Sequence, residues 1–245
     1  MIFHSLDRVK AIAPGYDIVP VYMEILSDVR TPISVLKALK QVSSHTYLLE
    51  RADNSNHWGR YSFLGYDPKI ELFCKNHTMT IKDGTTRTFE CSDPAAEIRN
   101  ILSQYKSPRL EELPTFTGGF VGYFACEYIR YIEPTLDFPT PDDDSAMVND
   151  VDLMLFDKVI AFDHYKNKIY LIANISTNDL ERNYNKAELE LKTLADLVIN
   201  GKEADVPKGI LKTEFTSEFT KDEFEAVVKK TQHYIKEGDI FQCVV

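Results

Sequence analysis

The sequence predicts an α+β protein, a largely antiparallel β-sheet with helices packed on it. Two kinds of segment lead there. Short runs rich in Tyr, Phe, Ile, Leu and Val follow one another, bounded by Gly, Asp, Asn and Pro, as strands of a meandering sheet are. Between them, apolar residues recur at three-four spacing behind good capping residues, the signature of amphipathic helices. With 245 residues, 44% of them hydrophobic, the chain can fill one large core or two modest ones. Its Gly 10 and Pro 11 follow no period, which excludes collagen-like and low-complexity classes, and nothing recurs at a solenoid spacing.

Thr31-Pro32 followed by Val35, Leu36 and Leu39 predicts a helix with a capping residue and a proline at its first position. Thr46 to Leu49, Tyr61 to Leu64 and Ile70 to Cys74 read as strands. The runs Thr78 to Lys82 and Thr86 to Phe89 flank Asp83-Gly84, which predicts a hairpin with a two-residue type I′ turn. Asp93-Pro94, with Ile98, Ile101, Leu102 and Tyr105, predicts a second helix against the sheet. In Gly118 to Phe124 the missing side chains invite a bulge or a close backbone approach.

Proline and acidic residues from Pro134 to Asp150 predict a surface loop. Val151 to Phe162 and Lys168 to Ile175 read as two strands of an antiparallel hairpin. Asn178 and Glu181 open a long helix that turns Leu180, Tyr184, Ala187, Leu191, Leu194 and Val198 inward and ends at Gly201. Residues 201–217 are polar and aperiodic and read as a linker. Thr220 and Glu223 form a capping box for a last helix with Phe224, Val227, Val228, Thr231 and Ile235 inward, stopped by Gly238. Ile240 to Val245 reads as a strand of the fully buried kind, and the sequence stops within it, so a truncated chain is expected.

Lys+Arg 28 against Asp+Glu 38 leave a formal charge of -10, a field that repels nucleic acid and anionic lipid. No apolar run approaches a membrane span, and Asp7, Arg8 and Lys10 interrupt any secretory h-region. Cys74, Cys91, Cys126 and Cys243 lack paired spacing, which suits free thiols and a cytoplasmic protein. The six histidines lack metal-ligand spacing, and Asp142-Asp143-Asp144 reads as a solvated turn. Gly118-Gly119 with Gly122 lacks the context of a dinucleotide site, and no catalytic motif is visible.

One cluster invites a ligand: Leu48-Leu49-Glu50-Arg51 and Trp58-Gly59-Arg60-Tyr61-Ser62-Phe63. Glu50 offers an acceptor for an ammonium and Arg60 a donor for a carboxylate, so two strand ends could clamp a zwitterionic amino acid; a surface ion pair over a core strand is the plainer alternative.

At these residues the sequence resembles the large subunit of anthranilate synthase, component I, and its chorismate-utilising relatives. Leu48-Leu49-Glu50 with Gly59 to Gly65 resembles the family's N-terminal signature. Phe116 to Phe124 with Arg130-Tyr131-Ile132-Glu133, then Asp157 to His164, and finally Tyr234 to Gln242, resemble later segments in order. The resemblance implies residues 1–200 as the family's N-terminal domain, 201–217 as a linker and 218–245 as the start of the chorismate-binding domain. It implies conversion of chorismate and ammonia to anthranilate and pyruvate in tryptophan biosynthesis, with Mg2+. It also implies a glutamine amidotransferase partner, component II. The family's catalytic and metal-binding groups lie beyond Val245, so no catalytic or metal residue is assigned here and the fragment alone is expected to be inactive.

The resemblance also implies tryptophan as an effector, with Leu49, Glu50, Arg51, Arg60, Tyr61 and Ser62 as its candidate binding residues. Arg51 stands where the family commonly has serine; a long cationic side chain there fills indole space or repels the effector's ammonium, so weak tryptophan inhibition is expected. Cys126-Glu127 replaces a Tyr-Asp pair, a departure that carries no assigned role. Two alternatives stand beside this reading: aminodeoxychorismate synthase component I, and a non-catalytic amino-acid-binding regulatory module.

Overall fold

The structure, a computed structural model, describes residues 2–3, 5–28, 30–50, 59–133, 135, 148–205, 207 and 209–245. It comprises two compact units, Met1–Asp205 and Val206–Val245. The first holds two antiparallel sheets. Six strands run in the order β1 (Ile2–Phe3), β2 (Ile18–Leu26), β11 (Lys168–Ser176), β10 (Lys158–Asp163), β4 (Tyr61–Tyr66) and β3 (Thr46–Leu49). Five run in the order β7 (Thr86–Glu90), β6 (Thr78–Lys82), β5 (Ile70–Lys75), β9 (Val151–Phe156) and β8 (Gly119–Phe124). The α+β class with mainly antiparallel sheet is what the sequence predicts.

The two sheets differ in how they meet solvent. The central strands β2, β10 and β11 are buried on both faces over most of their length, which is why their sequences are continuous apolar runs. Strands β5 and β9 alternate buried and half-buried residues, with one covered face. Helices α1 (Leu6–Ile12), α2 (Pro32–Leu39) and α5 (Leu180–Asn200) cover the six-stranded sheet, where Val9, Val35, Leu39, Leu191, Leu194 and Val198 meet Val21, Met23, Ile160 and Leu171. Helix α3 (Pro94–Leu102) covers the five-stranded sheet, burying Ile98 and Ile101 against Leu72, Met79 and Leu153. The expected caps are present: Thr31 and Ser34 bond reciprocally, and Asp93 accepts from the Ala96 amide at 3.0 Å. A 3-10 turn (Cys126–Tyr128) leads into the one-turn helix α4 (Ile129–Ile132), which Tyr131 pins by donating to Asp150 at 2.8 Å.

Several expectations are corrected. Val151 to Phe162 is two strands: β9 belongs to the five-stranded sheet, β10 to the six-stranded sheet, and the single residue Asp157 separates them. Only β10 and β11 form the expected hairpin. The β6–β7 loop has three residues, since Lys82 pairs with Thr86; Asp83 anchors it by accepting from Thr85 and Arg87, so Gly84 alone is left-handed. Helix α5 starts after Asp179, which takes φ 52 without a side-chain cap, while Asn183 donates to the Ser176 and Asn178 carbonyls where the expected Asn178 cap would act.

A close approach does occur at Gly122: a Cβ there would stand 1.9 Å from the Asp152 carbonyl oxygen across the β8–β9 pair. The expected loop from Pro134 lies outside the described residues except at 135 and 148–150, and Asp142 to Asp144 lie outside them.

Among the described residues the chain passes between the sheets twice, through residues 67–69 after β4 and through Asp157 after β9. The two passages are tied together. The Lys69 amide donates to the Leu155 carbonyl at 2.7 Å, and Lys158 pairs with Asp67 at 3.2 Å.

In the second unit α6 (Lys221–Glu237) forms with the expected box, Thr220 accepting from the Glu223 amide and Glu223 from the Thr220 amide. Gly238 closes it at φ 84. None of its residues is buried: of the face expected inward, Phe224 and Ile235 are exposed, and Val227, Val228 and Thr231 are half-buried. Ile240 to Val245 forms no strand, and Phe241 and Val244 are each 92% exposed. A strand's hydrogen bonds come from a neighbour, so apolar content alone does not produce one.

Candidate functional site

The sequence-predicted cluster lies where β3 ends and β4 begins. These strands pair antiparallel with Leu49 opposite Phe63, so Leu49 and Glu50 stand beside the first residues of β4. Leu49 is 49% exposed and Glu50, just past the strand, is exposed. Arg51 and Trp58 lie outside the described residues.

Arg60 precedes β4, and its guanidinium is engaged. Nε donates to one Asp163 oxygen at 3.0 Å and Nη2 to the other at 2.5 Å, a bidentate pair. The Asp163 side chain is fully buried, whereas that of Arg60 is 35% exposed. Asp163 ends β10, and the β10–β4 register sets it opposite Tyr61. Its Oδ1 also accepts the Tyr165 and Lys166 amides at 3.1 and 3.0 Å, closing the turn into β11. Burial works against the Asp163 charge; the Arg60 hydrogen bonds and then the Lys166 amide outweigh it and hold the carboxyl below its usual range. Tyr61 and Tyr165 lie beneath the guanidinium, their ring centres 4.8 and 5.5 Å from its carbon.

Tyr61 is half-buried; burial, then the Asp163 charge, raises its hydroxyl pKa. Ser62 is fully buried, and its Oγ lies 2.8 Å from His164 Nε2. The structure thus brings Arg60, Tyr61 and Ser62 together with Asp163, His164 and Tyr165, three residues that sequence reasoning gave no role. Their signal was present: an aspartate at a strand end before Tyr165-Lys166-Asn167 suits a turn that its own side chain closes.

Chemically, the two guanidinium nitrogens that a ligand carboxylate would take bidentately are engaged by Asp163. Glu50 remains an exposed acceptor at the same sheet end. Among the described residues no three His, Cys, Asp or Glu side chains gather into a group that could hold a metal ion, and no helix is long and apolar enough to cross a membrane.

Comparison with known proteins gives a consistent result. The chain is 34% identical over 255 residues to an anthranilate synthase component 1 of Acetivibrio thermocellus, covering 100% of this chain and 51% of that protein. It is 36% identical over 240 residues to one from Acinetobacter calcoaceticus, covering 94% of this chain and 46% of the relative. It therefore spans about half the length of these curated relatives. The crystal structure of anthranilate synthase component I from Streptococcus pneumoniae TIGR4 superposes with a TM-score of 0.50 at 25% identity, over 89% of this chain and 46% of that one. The family model of the chorismate binding enzyme matches residues 45–245, and the chain belongs to that family.

Proposed function

We propose that this chain is the N-terminal part of an anthranilate synthase component I. The protein it contributes to would convert chorismate and ammonia to anthranilate and pyruvate, with the ammonia delivered by a glutamine amidotransferase subunit. The observation that carries the reading is the match of 94–100% of the chain to curated anthranilate synthase component 1 proteins, over about half of each. We divide the chain into an N-terminal domain over 1–200, a linker over 201–217 and the opening of the chorismate-binding domain over 218–245. Mg2+ belongs to the same proposal, but the described residues do not offer a group fit to hold it, so no step is routed through the metal here.

Leu49, Glu50, Arg51, Arg60, Tyr61 and Ser62 are proposed as one side of a tryptophan effector site of low affinity. Support comes from the engagement of Arg60 by Asp163 and from the extra cation at Arg51. Assay of residues 1–245 with chorismate, Mg2+ and ammonium is expected to give no anthranilate. Joining this chain to the remaining half of the Acetivibrio thermocellus relative should restore anthranilate and pyruvate together, with weak tryptophan inhibition that Arg51→Ser strengthens. Chorismate turnover by residues 1–245 alone, or a folded chimera releasing a product that keeps the enolpyruvyl group, sinks the assignment.

A further inference from the structure

At the end of the sheet where β3 stops and β4 starts, the partner of Arg60 decides what its charge can still do. Asp163 takes the Nε and Nη2 hydrogens at 3.0 and 2.5 Å with a side chain that is fully buried, while 35% of the Arg60 side chain reaches solvent. A ligand arriving from solvent therefore meets the cation with a fixed anion behind it. Asp163 is itself restrained, because its Oδ1 accepts the Tyr165 and Lys166 amides and it cannot swing away without opening that turn.

Charge and surface diverge at this point. The attraction of a ligand carboxylate to Arg60 is offset by its repulsion from Asp163, so the paired cation offers much less than a lone one. Ring contacts do not depend on that charge. Tyr165 is 74% exposed and Leu49 is 49% exposed at the same end of the sheet, and Glu50, also exposed, is an acceptor for an ammonium.

We propose that Asp163 sets ligand selectivity here by positioning and neutralising Arg60, so that the site takes an aromatic amine through its ring and its ammonium and gains little from a carboxylate. This selectivity rests on the effector reading of the cluster and widens its ligand class, of which tryptophan becomes one member. Asp163 acts through Arg60 and is a positioning residue.

The test is an NMR titration of residues 1–245 with L-tryptophan and L-tryptophanamide at about pH 6, where both carry an ammonium and only tryptophan carries a carboxylate. The signals followed are the Arg60 Nε–H and the backbone amides of Tyr61 and Tyr165. Wild type should bind the two ligands within about threefold of one another, the scale of an exposed ion pair, with the Arg60 Nε–H unmoved. Asp163→Asn keeps an acceptor for the two turn amides but turns hydrogens toward Arg60, which frees the guanidinium. Tryptophan should then gain about tenfold over its amide, the worth of one charge-assisted hydrogen bond.

A merely structural Asp163 would weaken both ligands alike, and that unchanged ratio in a folded variant would overturn the proposal. So would a wild-type preference for tryptophan beyond about threefold, an outcome that leaves the effector reading intact and needs no variant to fold. Shifts from neither ligand at this end of the sheet would remove the effector reading and the proposed selectivity together.

Discussion

The Arg60 guanidinium grips the buried Asp163 carboxylate with two parallel hydrogen bonds, joining residues at the start of β4 and the end of β10. The charge that looks free to meet a ligand in the sequence is thereby tied into the protein's own sheet. Removing it strips a fully buried carboxylate of its paired cation.

Arg60→Met is therefore expected to destabilise the first unit by about 2–3 kcal/mol, below the loss of a fully buried pair because Arg60 is partly in water. Urea denaturation at neutral pH reads this. The Asp163 pKa is lowered on folding, so its contribution is complete above the ordinary carboxylate value of about 3.9 and disappears as pH falls through the lower folded value. The gap between wild type and variant should close in that acid range. A gap that stays constant down to the lowest pH at which both proteins fold would show that the pair is not its source.

Tyr47 presents the opposite case. Its ring packs edge-on against Phe156, 4.7 Å between centres, but its hydroxyl is buried with no hydrogen-bond partner among the described residues, and burial raises its pKa. Tyr47→Phe keeps the ring and removes the desolvated oxygen, so it should leave stability unchanged or raise it by about 1 kcal/mol. A loss of that size in thermal denaturation would point instead to a bonded hydroxyl.

Gly122→Ala is expected to cost roughly 2 kcal/mol or more, because its Cβ would enter the Asp152 carbonyl and force β8 from β9. Hydrogen exchange should show the damage in Gly119–Phe124 first. Unchanged protection there would mean that the strand pair accommodates the methyl.

Thr220→Ala removes half of the capping box of α6 and should cost that helix about 1 kcal/mol. Amides in its first turn should then exchange roughly fivefold faster, with no change in the sheets of the first unit. Equal exchange would mean that Glu223 alone holds the end.

Local chemistry made much of this architecture readable. Thr31, Asp93 and Thr220 each open the helix their side chains predict, because a cap acts within three residues of itself. Asp157 was hidden for the converse reason: its neighbours Phe156 and Lys158 through Phe162 look like one apolar strand, and nothing in an unbroken run says which sheet each half joins. At the site, Glu50 and Arg60 were visible as polar residues at strand ends. Their environment was not, since Asp163 arrives from 103 positions away through sheet register. Ile240 to Val245 failed because strand formation depends on a partner that residue composition cannot supply.

The double passage between the sheets also restrains the mechanics of the first unit. With one residue of slack at Asp157, three at the other passage, and a Lys158–Asp67 strut linking them, the sheets resemble two boards stitched along one seam rather than lobes on a hinge.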